Sequence, residues 1–426
     1  MLHRSWFRLG VSMLTLALLA TLTAAQAQVV AIRAGKLIDP RTGTVTRDQV
    51  ILVEGSTIKT VGSKVAIPQG AKVIDLSSAT VLPGLFDMHT HLFFSYHQLG
   101  FNSSEYPNLG DTSARLAIQG VANAHAMLES GFTTVRDLGG APNFADTDLR
   151  QAIEEGLVPG PNVINCGRMI ELSYDSGFQP NPEGKNLEVN AVSFVDSKES
   201  IRRVIRENAH FGAKVIKVAQ DDNQPFIFTA DDLKFLVEEA SRAGLRVAVH
   251  AVGDEATRHA AEAGVASIEH AWYASDNTLE LIKHNGVVLD GTDLTESHFQ
   301  LLAGPDDDPK QQHAAVIDRL KRAYKLGVTM VYGSDANYSL PGETRGTLAL
   351  KPLDSYVEAG IPTRIVLQML TINSARLLGM EKERGAIDAG FRADIIATPD
   401  DPLGDIRALR KVVFVMKAGK IFKYTP

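Results

Sequence analysis

The segment VLPGLFDMHTHL, residues 81–92, decides how this chain is read, because its apolar run delivers His89 and His91 at one end. In an extended strand, side chains two residues apart point to the same face, so a single strand holds both imidazoles toward one point. A His-x-His pair standing alone is more often two half-buried polar residues at a strand end. The reading therefore turns on what the rest of the chain adds.

From Ala79 onward, apolar strand runs alternate with helical segments, the pattern of βα units and a parallel sheet. Eight strand candidates follow in order: 85–91, 132–137, 162–168, 213–219, 246–250, 265–270, 286–292 and 328–335. Between them lie amphipathic helices such as ADDLKFLVEEASRAG and EATRHAAEAG, the second closing on a glycine that suits a helix C-terminus. Eight such units predict an α/β fold of the (β/α)8, TIM-like barrel kind, spanning 81–385. Val29 to Asp75 reads instead as short strands divided by turns, and after the helical TRIVLQMLTINSARLLGM the chain returns to strands. The two ends, 28–80 and 386–426, are expected to pair into one small β-sandwich domain.

Residues 1–27 stand apart from this core. Arg4 and Arg8 precede an apolar run from Leu9 to about Leu22, and Ala25-Gln26-Ala27 follows. This reads as a signal peptide cleaved before Gln28, so the mature chain is expected to be exported, periplasmic in a Gram-negative source. The run is short for a membrane span, and no stable span is expected after cleavage. Loss of the two arginines takes the formal charge from −7 to −9, which gives no support to nucleic-acid binding. The single cysteine, Cys166, leaves no intramolecular disulfide and lies in the apolar run NVINCGR, where an inert buried thiol is expected.

In such a barrel, chemistry belongs at the carboxyl ends of the strands. That filter returns His89 and His91 on the first strand, Lys217 on the fourth, His250 on the fifth, His270 on the sixth and Asp335 on the eighth. Imidazole and carboxylate ligate divalent first-row metals, with zinc the default. A lysine amine made neutral by burial reacts with carbon dioxide to give a carbamate, whose two oxygens can bridge two metal ions. Lys214 is the rival to Lys217, but an offset of three puts the two on opposite faces of the strand, and only one can point inward. Asp335 is expected to act also as general base and then acid. His298, just after the seventh strand, is a candidate for contact with the substrate or transition state. His125, His259 and His284 fall in helical segments and read as packing or surface residues.

Together these motifs resemble the amidohydrolase superfamily of metal-dependent hydrolases. GLFDMHTHL, GAKVIKVA, VAVHAVGDEA, SIEHAWY, VYGSDAN and TINSARLLGMEKERGAIDAGFRADII are similar to its successive signatures, from about residue 29 to the C-terminus. GFTTVRDLGG and GPNVINCGR resemble the subgroup of imidazolonepropionase-like proteins and bacterial prolidase or carboxypeptidase-like dipeptidases. The resemblance implies that His89, His91 and Asp335 hold a buried metal ion, that His250 and His270 hold a more exposed one, and that carbamylated Lys217 bridges them. It further implies attack of a metal-bridging hydroxide on an amide carbonyl, with a dipeptide, N-acyl amino acid or aromatic amide as substrate, and makes a homo-oligomer plausible.

The chain departs from the dipeptidase pattern at AQDDNQPF, where relatives tend to have a glycine-rich stretch, and at Tyr174-Asp175, where they often place a histidine. Both departures read as changes to the substrate grip. For a substrate carboxylate, Arg168 and Arg345 are the candidate forks, and Tyr174 and Tyr273 the candidate hydroxyl donors. Two other readings compete: a mononuclear cyclic-amide hydrolase or deaminase, which the inward Lys217 argues against, and a non-catalytic binding protein on the same scaffold.

Overall fold

The computed structural model describes residues 29–93, 112–172, 191–222, 226–303 and 307–425. The 1–27 segment read as a signal peptide, together with Tyr174 and Asp175, lies outside the described residues. No helix among the described residues is long and apolar enough to cross a membrane.

Four strands open the chain: β1 (Val29–Asp39), β2 (Thr44–Glu54), β3 (Thr57–Gly62) and β4 (Lys72–Pro83). Three more close it: β15 (Ile395–Thr398), β16 (Phe414–Lys417) and β17 (Lys420–Tyr424). They form one seven-stranded sheet in the order β17-β16-β15-β4-β1-β2-β3. The ends of the chain meet where β4 runs antiparallel to β15, with Val81 opposite Ala397. Ile32, Ile51, Val81, Ile395 and Phe414 give this sheet a core of its own, distinct from the main one.

The eight strand candidates between these ends are all present. They are β5 (Leu85–Thr90), β6 (Phe132–Asp137), β7 (Asn162–Asn165), β10 (Val215–Ala219), β11 (Arg246–Ala251), β12 (Ser267–His270), β13 (Val288–Asp290) and β14 (Met330–Val331). Every pairing among them is parallel, β5-β6-β7 in one sheet and β10 through β14 in another. Beyond β7 the chain runs into β8 (Met169–Leu172), which pairs with β10 through Val218 and Ile170 and with β9 (Val192–Val195) on its other side. At the far end the Met88 amide donates to the Tyr332 carbonyl at 2.8 Å, and the Asp335 amide to the His89 carbonyl at 2.9 Å. The last strand is thereby tied to the first.

The core follows from alternation along these strands. Ile216 and Val218, Val247 and Val249, and Ile268 pack outward against Leu233 and Leu236, Ala256 and Ala260, and Leu279 of the intervening helices. Each buried valine, leucine or isoleucine side chain here contributes about 1.5–3 kcal/mol of burial. Residues of the opposite parity, Lys217, Ala248, His250, Ser267 and Glu269, are left on the inner face. The helix Asp254–Ala263 stops at Gly264 with φ +70°, the left-handed cap expected of that glycine.

Candidate metal centre

The expected ligands sit at or just beyond the carboxyl ends of their strands, except Lys217, which lies at the middle of β10. His89 lies in β5 with His91 just beyond, Lys217 in β10, His250 in β11, His270 at the last position of β12 and Asp335 shortly after β14. The rings converge: His89 and His91 have centroids 5.2 Å apart, His89 and His270 5.1 Å, His250 and His270 4.3 Å. Asp335 Oδ1 is 3.3 Å from His91 Nε2 and 3.8 Å from His89 Nε2, and Lys217 Nζ is 3.4 Å from His89 Nε2. The choice between the two lysines is settled, since Lys217 is 2% exposed on the inner face while Lys214 is exposed outside.

Backbone conformation at the strand ends makes this convergence possible. His270 has φ +75°, Ala271 +49°, Thr292 +41° and Asp335 +47°, all in the left-handed region that non-glycine residues avoid. Such positions cost on the order of 1–3 kcal/mol each and persist where the surroundings over-determine them. Strict alternation after Glu269 would turn His270 away from the site. The left-handed turn brings its ring back beside His250.

Three imidazoles are anchored from behind through Nδ1. His89 Nδ1 is 3.0 Å from Glu269 Oε2, His91 Nδ1 is 3.1 Å from the Gly139 carbonyl oxygen, and His270 Nδ1 is 2.5 Å from Thr292 Oγ1. With Nδ1–H donating, the lone pair of each ring lies at Nε2. One ligand atom each from His89, His91 and Asp335 falls within 4.8 Å of the others. A neutral imidazole with its outer nitrogen so engaged is the usual metal-ligating arrangement, and the donor set fits a divalent ion.

Electrostatics point the same way. Burial, helped by the Lys217 charge, drives His250 down to about 3 and His89 well below the usual imidazole value. His270 is lowered likewise, by burial and then by His250. Burial also lowers the Lys217 amine, against the pull of Glu269 and Asp335. Asp335 goes the other way: burial works against its charge, yet His89, His91 and Lys217 together hold its carboxyl down at about 2. At neutral pH the site therefore offers unprotonated His89, His250 and His270 rings and an ionised Asp335 carboxylate. In chelator-treated protein the His250 ring resonances are expected to be the same at pH 5 as at pH 8, whereas a free imidazole titrates at about 6.5. A chemical-shift transition between those limits would contradict the neutral ring.

Beneath the ligands lies a layer that the search for strand-end residues passed over. Arg136 donates from Nε to the Met88 carbonyl at 2.6 Å, from Nη1 to Ser267 Oγ at 2.8 Å and from Nη2 to Glu269 Oε1 at 2.9 Å. Asp290 Oδ2 is 3.5 Å from the same Nη2. His89, Glu269 and Asp290 could by spacing also hold an ion, but the guanidinium already lies between the two carboxylates. Trp272 packs edge-on to His270 at 5.3 Å, its Nε1 donating to the Gly291 carbonyl. The signal for this layer was present as charged residues inside buried strands: Asp87, Arg136, Glu269 and Asp290.

A family model for the amidohydrolase family matches residues 80–422, most of the chain. The chain belongs to the amidohydrolase family. Ochratoxinase of Aspergillus niger is 30% identical over an alignment covering 93% of this amidohydrolase and 87% of that protein. Imidazolonepropionase of Shouchella clausii is 26% identical, with 82% and 78% covered. Among solved structures, a Xaa-Pro dipeptidase with methionine bound in its active site superposes with a TM-score of 0.82 at 27% identity, covering 93% of this chain and 100% of that one.

The other residues read from the sequence of this amidohydrolase meet different fates. Arg168 pairs through its guanidinium with Glu207 at 3.3 Å and lies over the Phe144 ring. Arg345 is 4% exposed, and burial brings it to about 10 against the opposing charges of Asp137, Tyr338 and Asp335. Tyr273 stands half exposed beyond β12; burial and then the charges of Asp221 and Asp307 raise its hydroxyl. His298 accepts at Nδ1 from the Thr295 amide, which places its proton on Nε2, a buried atom with no hydrogen-bond partner among the described residues. Cys166 is fully buried, and burial keeps its thiol protonated.

Residues 223–225 of AQDDNQPF lie outside the described residues, and within the rest of the stretch Asp222 has a structural task. Asp222 accepts from the Glu255 amide at 2.9 Å and the Ala256 amide at 2.7 Å, capping the helix Asp254–Ala263. The N-cap residue of that helix is Gly253, which has no side chain to do this, and a Cβ there would lie 2.2 Å from the Asp222 carboxylate. A cap of this kind contributes about 1 kcal/mol.

Proposed function

We propose that this chain is an exported, binuclear metal-dependent amidohydrolase that hydrolyses the amide bond of a small substrate, a dipeptide or N-acyl amino acid. The observation that carries the reading is the convergence of His89, His91, Lys217, His250, His270 and Asp335 from five parallel strands, with three of the imidazoles anchored through Nδ1. The strands β5 to β14 are read as a closed (β/α)8 barrel, supported by the two hydrogen bonds that tie β14 to β5. Similarity to ochratoxinase and to a Xaa-Pro dipeptidase supports amide substrates.

His89, His91 and Asp335 would hold one ion, His250 and His270 the second, and Lys217, carboxylated at its neutral amine by carbon dioxide, would serve both. Zinc suits this nitrogen and oxygen set. Bound there, the ions supply Lewis acidity toward a carbonyl oxygen and lower the pKa of water.

The chain's own residues do the rest. Asp335, ionised at neutral pH, takes the proton of the attacking water and returns it to the departing amine nitrogen. Its position is fixed by the bond from its own amide to the His89 carbonyl. The His298 Nε2–H is a neutral donor for a substrate oxygen, and Arg345 supplies a buried positive charge on the side of Asp335.

The test is metal content per chain in protein purified without chelator, followed by assay of dipeptides, N-acyl amino acids and aromatic amides beside cyclic amides and deamination substrates. Two ions per chain and turnover of linear amides are expected. A single ion with turnover of cyclic amides or deamination instead would replace this reading with the mononuclear one.

A further inference from the structure

Among the three anchored ligands, His89 is the one held by a charged partner. His91 leans on a backbone carbonyl and His270 on a hydroxyl, whereas His89 Nδ1 faces Glu269 Oε2 at 3.0 Å. Glu269 and Ser267 share the inner face of β12, and both are fully buried. Carboxylate acceptors make the stronger hydrogen bonds, and a carboxylate behind a ligating imidazole fixes its ring orientation and raises its basicity.

A buried carboxylate needs compensation, and here Glu269 has Asp290 as a neighbour. Arg136, 1% exposed, meets both Glu269 oxygens at 2.9 and 3.1 Å and Asp290 Oδ2 at 3.5 Å. Its Nε is spent on the carbonyl of Met88, the residue immediately before His89, at 2.6 Å. Arg136 thus grips the imidazole's strand and the imidazole's anchor with one rigid fork. Ser267 Oγ completes the set by donating to Glu269 Oε1 at 2.5 Å.

We propose that Glu269 is the positioning residue that aims His89 Nε2 into the metal centre, and that Arg136 locks Glu269 in that task by clamping β12 to β5. The inference rests on the binuclear reading given above. Neither residue touches substrate; both act through His89. The alternative is an ion pair that merely fills the space between the strands, which would matter for folding and not for metal retention.

The experiment measures metal dissociation into excess chelator, and the visible absorption of the cobalt-substituted protein, for wild type, Glu269→Gln, Glu269→Asp, Arg136→Lys and Ser267→Ala. Glu269→Gln keeps the size but loses the charge, and is expected to lose metal about 10- to 100-fold more readily, the scale seen when such outer partners are removed. Its cobalt spectrum should shift, Glu269→Asp should recover part of the loss, and Ser267→Ala, which leaves the Glu269 charge and the Arg136 fork in place, should lose metal less readily than Glu269→Gln. Arg136→Lys, which keeps the charge without the fork, should fall between and decides the matter if the glutamine variant does not fold. Folded Gln and Lys variants that retain metal within twofold of wild type, with an unchanged cobalt spectrum, overturn the inference. Wild-type protein that binds no metal at all overturns the functional reading and this inference with it.

Discussion

Lys217→Ala is expected to yield a folded protein that holds one metal ion per chain instead of two and hydrolyses its best amide substrate at least about 10²-fold more slowly, the scale on which a preorganised electrostatic group is lost. The fold should survive because Lys217 stands beside an apolar layer of Cys166, Val215 and Ala248, where a methyl group is at home. The centre should not, because alanine removes the Nζ that approaches His89 Nε2 at 3.4 Å. Burial keeps the amine below its ordinary value, the condition for reaction with carbon dioxide. Metal content should therefore depend on bicarbonate during reconstitution of the wild type and be indifferent to it in the variant. An alanine variant that retains two ions and full activity would remove Lys217 from the centre.

Asp335→Asn is expected to lower kcat by about 10²- to 10⁴-fold at saturating metal, the usual worth of a positioned acid–base group. Asparagine is a fair replacement in shape. Asn and Asp are among the residues best suited to a left-handed backbone, so φ +47° should be kept, and the amide bond to the His89 carbonyl does not involve the side chain. What is lost is the negative charge that His89, His91 and Lys217 hold in place down to about pH 2. Steady-state kinetics with metal content measured on the same sample separate the two roles of Asp335. A variant with two ions and a kcat within tenfold of wild type would move proton transfer to another group.

Much of this centre was legible before any coordinate, for a reason peculiar to parallel sheets. Their strands are buried on both faces, so each reads as a bounded apolar run and its carboxyl end can be found by eye. His89, Lys217 and His250 followed from that position together with alternation. His270 is the case where alternation misleads: the sequence SIEH offers either Glu269 or His270 to the inner face, and only a left-handed turn at φ +75° delivers both. Nothing in the residue type announces that turn, since histidine is not glycine.

The anchoring layer was missed because charge within a strand was not treated as a signal in its own right. Arg136, Glu269 and Asp290 come from three different strands, and their partnership exists only after the sheet has been assembled. The Asp222 cap escaped notice for a similar reason: a helix whose N-cap is Gly253 borrows its carboxylate from the loop one βα unit earlier. Substrate contacts were the least legible, because an arginine's partner depends on which helix lies beside it, as Glu207 shows for Arg168.

The pairing of β4 with β15 sets a condition on how the chain can be made. Val81 must wait for Ala397, so this sheet cannot be completed until β15 to β17 have left the ribosome. Until then β4 offers an open edge and the Ile32–Val81 cluster lacks Ile395 and Phe414 to cover it. Contacts of such long sequence separation form late and leave apolar surface exposed in the meantime. The β15–β17 segment thus closes this sheet, and a chain cut short before Ile395 is expected to aggregate even though every candidate metal-site residue has already been made.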